Sequence, residues 1–217
     1  SGGGITFTGG EPLVWGTFLE EYIPRYCHDF SVDLETSLDA PWQRVEGLIP
    51  LVNQWCVDFK MADPEKHREF TGSTNERILE NLERLSRCVP GERVLITWPV
   101  IPGYNDTDEN VAAMVETLTR LGLKRIELHP YRKVAEAKQR KTGKKPVEVP
   151  ELTSARRQQL EQRLRGRGDT SEEQITMRLA RSQWELEQSK KYDHIVINDQ
   201  VDTCAEEILN IIAKKAD

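Results

Sequence analysis

Short apolar segments alternate with longer amphipathic segments along the first 150 residues, and this alternation restricts the fold more than any other feature. Five apolar segments predict β-strands, at residues 5–8, 32–36, 56–61, 93–101 and 126–130. Segments with helical periodicity lie between them. A repeated strand–helix unit places helices on the faces of a parallel sheet. The sequence therefore predicts an α/β fold.

Local signals set the expected ends of the intervening helices, at residues 13–30, 42–52, 64–88 and 109–121. Asp63 precedes Pro64, which predicts an N-cap followed by proline at the first helical position. Asp106 and Glu109 have the spacing of a capping pair for the next helix. Gly122 is placed to end that helix.

The composition changes after about residue 134. A lysine-rich loop precedes predicted helices at 152–164 and from Thr170, a strand at 194–198 and a last helix at 203–214. We expect the 194–198 strand to pair with one edge of the sheet, beside 126–130 or, alternatively, beside 5–8. The arginine-rich stretch near 156–168 marks the expected boundary between domains at 1–155 and 156–217.

Composition excludes several classes of protein. Apolar residues make up 37% and charged residues 30%, and no segment approaches the roughly 18 apolar residues of a membrane span. The net charge of −6 argues against DNA binding. The N-terminal Ser-Gly-Gly-Gly resembles no signal peptide, and the four cysteines form no C-x-x-C pair. We expect a cytoplasmic protein that binds neither DNA nor membranes.

Polar residues at the ends of the predicted strands are the candidate ligand-binding groups. The first strand runs into Gly9 and Gly10, which let the backbone approach a ligand, and then into Glu11. A carboxylate there suits an ammonium group, although a glycine-rich turn with a solvated acid is the alternative. Asp58 and Lys60 alternate along their strand, so both can point to one face.

Five motifs in this order resemble one enzyme family: SGGGITFTGGEPL, VDLETS, VDFKMADPEKHREFTGSTNERILENL, PVIPGYNDTDEN and IELHPY. Residues 1 to about 155 are similar to the radical S-adenosylmethionine (SAM) activating enzymes of glycyl radical enzymes, of the pyruvate formate-lyase activase type. The resemblance implies an incomplete (β/α)6 parallel barrel that lacks its first strand. It also implies a SAM site in which Gly9, Gly10 and Glu11 hold the methionine amino group, Thr36, Asp58 and Lys60 line the methionine and ribose, and Val100 and Ile101 flank the adenine.

The same resemblance implies a [4Fe–4S] cluster and a glycyl radical enzyme as partner. The family cleaves SAM reductively to a 5′-deoxyadenosyl radical, which takes a hydrogen atom from a glycine of that partner. The family's C-x-x-x-C-x-x-C cluster motif is not among these residues, and Cys27, Cys56 and Cys88 are about 30 residues apart. We therefore expect no metal ligands, no catalytic residues and no activity from this chain alone.

Residues from about 157 to 217 resemble the C-terminal α-β-α segment of a guanylate kinase. The resemblance implies that Arg167 and Arg178 touch nucleotide phosphates and that Asn198 lies near adenine. No G-x-x-x-x-G-K-[ST] phosphate loop occurs in the chain, so a solvated cationic face is the alternative for these arginines. Three functions stay open: a glycyl radical enzyme activating enzyme, a guanylate kinase fragment, and a non-catalytic chimera.

Overall fold

A computed structural model describes residues 4–130 and 149–165 of the chain. Its centre is one sheet of five parallel strands in sequential order. The strands are β1 (Gly4–Phe7), β2 (Ser31–Thr36), β3 (Gln54–Asp58), β4 (Val94–Val100) and β5 (Arg125–Pro130). The predicted parallel α/β sheet is confirmed.

Helices follow the strands as the alternation predicts. They are α1 (Gly16–Tyr26), α2 (Trp42–Glu46), α3 (Pro64–Thr71), α4 (Glu76–Cys88), α5 (Asp108–Arg120) and α6 (Ser154–Arg165), with 3-10 turns at Pro12–Trp15 and Gly91–Arg93. The predicted helix at 64–88 is in fact two helices, because Gly72 has a φ of 92° and ends α3. Asp63 caps α3, since its carboxylate accepts a 2.8 Å hydrogen bond from the Lys66 amide.

Two predicted details at the ends of elements are wrong. The third strand ends at Asp58 rather than at residue 61, because side-chain amides instead of a neighbouring strand bind the carbonyl groups that follow. Thr107, rather than Asp106, caps α5 and accepts from the Asn110 amide at 3.3 Å. The carboxylate of Asp106 instead accepts a 2.7 Å bond from the Gly103 amide.

The two faces of the sheet differ in chemistry because side chains alternate along each strand. One face lies under the helices and is apolar, and Leu34, Trp55 and Val57 on it are fully buried. The register places polar residues side by side on the opposite face, for example Glu35 beside Cys56. We call this the polar face, and its polar members are Thr6, Asp33, Glu35, Gln54, Cys56, Asp58, Thr97, Arg125, Glu127 and His129.

Helix α6 packs onto the sheet domain. Its Leu160 and Leu164 are 0% and 5% exposed and belong to the same hydrophobic core as the strands. Arg163 lies 2.6 Å from the Asp108 carboxylate, and this bond, together with one from Arg156, lowers the pKa of Asp108. The predicted domain boundary after residue 155 therefore falls within a helix of this core, and it stays a prediction.

The chain divides into two compact units, Ser1–Thr170 and Ser171–Asp217. Arg167, Arg178, Asn198 and the predicted elements at 194–198 and 203–214 lie outside the described residues. Among the residues that are described, no helix is long and apolar enough to cross a membrane.

Candidate ligand-binding face of the sheet

Glu11 joins the turn after β1 to the end of β2. Its Oε1 atom accepts hydrogen bonds from the Thr36 hydroxyl at 2.6 Å and the Leu13 amide at 3.1 Å. Its Oε2 atom accepts from the Ser37 amide at 2.9 Å and the Ser37 hydroxyl at 2.5 Å. A carboxylate offers about four acceptor positions. All of the usual hydrogen-bonding capacity of Glu11 is thus directed to the protein itself.

Gly9 and Gly10 form the turn that carries Glu11. Gly9 has a φ of 133°, a conformation that L side chains rarely adopt, while a Cβ atom on either glycine would meet nothing within 4 Å. The backbone of the turn is therefore open to a ligand. The assignment of Gly9, Gly10 and Glu11 to an amino group stays a prediction. What the geometry shows is an anionic turn fixed against β2.

At the end of β2, Thr36 and Glu35 point to opposite faces. Thr36 is 3% exposed, and its hydroxyl donates to Glu11 and accepts from the Leu38 amide at 2.9 Å. Glu35 is exposed on the polar face, where it accepts a hydrogen bond from the Thr8 hydroxyl. Glu35 is thus better placed for a ligand than Thr36. The strand's alternating burial was the signal that could have identified it.

Asp58 and Lys60 form an ion pair at the end of β3. Lys60 lies beyond the strand rather than within it as the sequence predicts, yet its ammonium group donates to the Asp58 Oδ2 atom. The two side chains are 32% and 37% exposed, so both are accessible from the polar face. The structure therefore brings together these two predicted site residues.

Val100 and Ile101, at the end of β4, are the residues predicted to flank the adenine ring, and only the Ile101 side chain is accessible. Val100 is fully buried in the hydrophobic core, which leaves its backbone for a ligand. Ile101 is half-buried just after the strand. The loop then turns through Gly103, which has a φ of 81°. The role of Val100 and Ile101 beside an adenine ring stays a prediction.

His129 is a polar-face residue that the sequence analysis did not include among the site residues. Its Nε2 atom lies 3.7 Å from the Glu127 carboxylate. The hydrogen bond that the His129 ring donates to Glu127 raises the pKa of His129, as do the more distant charges of Glu35 and Asp58, against the opposing effect of burial. The pKa of His129 therefore responds to carboxylates on β2, β3 and β5.

We expect Glu127→Gln to lower the pKa of His129, because it removes the negative charge nearest to the ring. In the wild-type protein the raised pKa means that protonated His129 stabilises the fold. This stabilisation is complete below the unfolded-state pKa and is lost as the pH rises through the folded-state value. An NMR titration of the ring protons measures the change, with exposed Glu69→Gln as the control. An unchanged titration in Glu127→Gln would show that the pair is not formed.

Among residues 4–130 and 149–165, the polar face carries more negative than positive charge. Four carboxylates lie on it, at Asp33, Glu35, Asp58 and Glu127, and the permanent cations that the described residues place beside them are Lys60 and Arg125. Arg125 donates a 3.0 Å hydrogen bond to the Gln54 side chain, which orients its guanidinium along the sheet. An acidic, partly buried face of this kind attracts a cationic ligand.

The described cysteines do not form a cluster site. Cys27 is buried in the core at the end of α1, and Cys88 is exposed at the end of α4. Cys56 is half-buried on the polar face, where burial raises the pKa of its thiol. Within residues 4–130 and 149–165, no three His, Cys, Asp or Glu side chains could hold a metal ion together. These residues do not fit an iron–sulfur cluster.

Comparison with known proteins shows the family to which the chain belongs. The family model of the radical SAM superfamily matches residues 2–126, which is more than half of the chain. The chain belongs to the radical SAM superfamily. The radical SAM match covers all of β1 to β4 and therefore the strand ends that carry Glu11, Glu35 and Asp58.

The radical SAM chain is similar to curated activating enzymes. It is 34% identical over 143 residues to the indoleacetate decarboxylase activating enzyme of Tractidigestivibacter scatoligenes. This alignment covers 65% of this chain and 45% of that protein. It is 36% identical over 146 residues to the 4-hydroxyphenylacetate decarboxylase activating enzyme of Clostridioides difficile, and that alignment covers 66% of this chain and 46% of that protein. The chain thus spans a little under half the length of these relatives.

A solved structure shows the same fold. A domain of pyruvate-formate lyase-activating enzyme from Bacteroides vulgatus has a TM-score of 0.62 and 27% identity, over 77% of this chain and 96% of that one. A second family model, that of guanylate kinase, matches residues 140–215. The guanylate kinase match therefore includes α6 as well as residues that the structure does not describe.

Proposed function

We propose that the chain binds S-adenosylmethionine on the polar face of its sheet, as part of an activating enzyme for a glycyl radical enzyme. The charge of the polar face supports this proposal most directly. SAM carries a sulfonium and an ammonium group against one carboxylate, so its net charge is positive. The described part of the polar face, with four carboxylates and two permanent cations, suits such a ligand. Membership of the radical SAM superfamily and similarity to activating enzymes support the choice of SAM.

In this proposal the turn at Gly9 and Gly10 receives the methionine end through its open backbone. Glu11 contributes its negative charge while its oxygens hold Thr36, Leu13 and Ser37. Asp58 and Lys60 lie along the methionine and ribose, and the half-buried Ile101 lies beside the adenine. The pairing of Lys60 with Asp58 leaves one Asp58 oxygen for a ligand hydroxyl.

We further infer that the 217-residue chain binds SAM without cleaving it. Radical SAM enzymes need an iron–sulfur cluster to supply the electron, and the described cysteines lie on separate elements that cannot share one. A glycyl radical enzyme is the proposed partner because the similar proteins are activating enzymes. The chain's own residues would then supply the SAM-binding part of such an enzyme.

Calorimetric titration with SAM tests the binding proposal. We expect SAM to bind more tightly than S-adenosylhomocysteine, which lacks the sulfonium charge. Asp58→Asn is expected to weaken SAM binding by about fivefold, since a nearby charge at the partly exposed face contributes about 1 kcal/mol. Asp29→Asn changes the charge equally before β2, at the opposite end of the strands, and serves as the matched control. Absence of SAM binding at millimolar ligand contradicts the proposal.

Anaerobic reconstitution with iron and sulfide tests the second inference. We expect the chain to take up no stoichiometric cluster and to form no 5′-deoxyadenosine from SAM with a strong reductant. Detection of 5′-deoxyadenosine would show that these cysteines do assemble a working cluster. Taken together, we expect the calorimetric titration to show SAM binding and the reconstitution to show no SAM cleavage.

The guanylate kinase match supports a second candidate, nucleotide binding by residues 140–215. Arg167, Arg178 and Asn198 are its proposed residues. Phosphoryl transfer needs a cradle for the β- and γ-phosphates, and no phosphate-loop motif occurs in the sequence. We therefore propose binding of GMP or ATP rather than kinase activity. Titration with each nucleotide, repeated with Arg178→Ala, tests it separately from SAM binding.

A further inference from the structure

Asn105 lies buried behind the polar face, between the loops that follow β3 and β4. Asn105 is only 2% exposed. Its Nδ2 group donates to the carbonyl oxygens of Lys60 at 2.9 Å and Pro99 at 2.7 Å. Its Oδ1 atom accepts from the Ile101 amide at 2.7 Å. Both amide hydrogens and the amide oxygen are therefore used, and each bond goes to the backbone of a strand end.

A second asparagine holds Asn105 in place. The Asn110 Nδ2 group donates to the Asn105 carbonyl oxygen at 2.7 Å, and its Oδ1 atom accepts from the Ala62 amide at 2.9 Å. Asn110 is 3% exposed, so this bond pair is also shielded from water. Hydrogen bonds between buried groups are costly to break because no water replaces them. The two loops are thus joined into one rigid unit.

The loop after β4 is also fixed on its outer side. Asp106 accepts from the Gly103 amide at 2.7 Å, and Arg156 of α6 lies 3.3 Å from its Oδ2 atom. Asp106 and Arg156 are 13% and 26% exposed in their side chains, so the pair is largely shielded. The position of Asn105 is therefore determined on both sides, by α5 and by α6.

We propose that Asn105 is a positioning residue that sets the separation of Lys60 and Ile101, and through it the affinity of the site for the nucleoside part of SAM. The inference rests on the proposed SAM site, in which these two residues lie on either side of the nucleoside. Asn105 itself does not reach the polar face. Its amide is suited to this task because one planar group donates to two carbonyls and accepts from one amide.

Asn105→Asp is the variant that tests the proposal, because it keeps the shape and the acceptor but removes both donors. The probes are SAM and 5′-methylthioadenosine, a nucleoside without the amino acid. We expect N105D to weaken binding of both by about tenfold. Arg93→Met is the matched control. Arg93, just before β4, donates to the carbonyl of Asn53, just before β3, at 3.1 Å and to that of Ile49 at 3.2 Å. It therefore connects the segments at the opposite ends of the same two strands.

A pH series separates positioning from general loss of stability. The carboxyl group that N105D introduces can donate one hydrogen bond when it is protonated. The ratio of variant to wild-type affinity should therefore recover as the pH falls, whereas the ratio for Arg93→Met should stay constant. Melting temperatures of both variants confirm that binding is measured on folded protein. If N105D does not fold, Asn105→Ser, which keeps one donor, replaces it with the same expected loss.

The outcomes separate the two proposals. A wild-type chain that binds neither probe overturns the SAM site and, with it, the role of Asn105. A wild-type chain that binds both probes while the folded Asn105 variant binds them equally well overturns the positioning role alone. Equal losses of affinity in the Asn105 variant and in Arg93→Met also overturn it, because such losses would follow stability and not the spacing of Lys60 and Ile101.

Discussion

Glu11→Ala is expected to lower the free energy of unfolding by about 3 kcal/mol, because it leaves four donors at the ends of β1 and β2 without their acceptor. The Thr36 hydroxyl and the Leu13 amide lose one oxygen, and the amide and hydroxyl of Ser37 lose the other. Water can reach part of this site, since Glu11 is only half-buried, so the loss is smaller than four buried bonds would give. Urea unfolding followed by tryptophan fluorescence measures it.

Two further variants make the result specific. Glu11→Gln keeps one oxygen acceptor for Thr36 and Leu13 and should lose about half as much stability. Glu21→Ala removes an exposed carboxylate from α1 and should change stability by less than about 0.5 kcal/mol. SAM binding should be abolished in Glu11→Ala, since the turn and its charge are lost together. A Glu11→Ala protein with wild-type stability would show that the carboxylate does not join β1 to β2.

The order of strands and helices could be predicted from the sequence because burial imposes a regular pattern on each element. Val32, Leu34 and Thr36 alternate with polar residues, and all three are buried on the helix-covered face. The end of β3 could not be predicted this way. Phe59 and Met61 continue the apolar pattern, but Asn75 and Asn105 bind the carbonyls of the loop, and these contacts come from 14 and 45 residues away.

The candidate site shows the same contrast between features set by local pattern and features set by contacts distant in sequence. Motifs at the strand ends predicted Glu11, Asp58 and Lys60 as site residues, and the structure places the last two in contact. The choice of Thr36 over Glu35 came from the resemblance alone, although the alternation of β2 directs Glu35 to the polar face. The positions of Asn105 and Arg156 depend on the packing of separate helices, which no local spacing reveals.

Helix α6 bears on the predicted domain boundary after residue 155, which stays a prediction. The guanylate kinase model covers residues 140–215 and so includes α6. The packing of α6 nevertheless belongs to the radical SAM sheet, since Leu160 and Leu164 lie in its core and Arg156 and Arg163 pair with Asp106 and Asp108. We therefore expect the stability of the sheet domain to depend on α6. This dependence can be measured directly.

Leu160→Ala is expected to destabilise the radical SAM domain by about 3 kcal/mol, because Leu160 is fully buried and its removal leaves a cavity in a packed core. Gln162→Ala, two residues along the same helix and exposed, should change stability by less than about 0.5 kcal/mol. Urea unfolding followed by the fluorescence of Trp55 and Trp98, both buried in the sheet core, measures the effect. If α6 were an independent element, Leu160→Ala would leave that transition unchanged, and the boundary at residue 155 would stand.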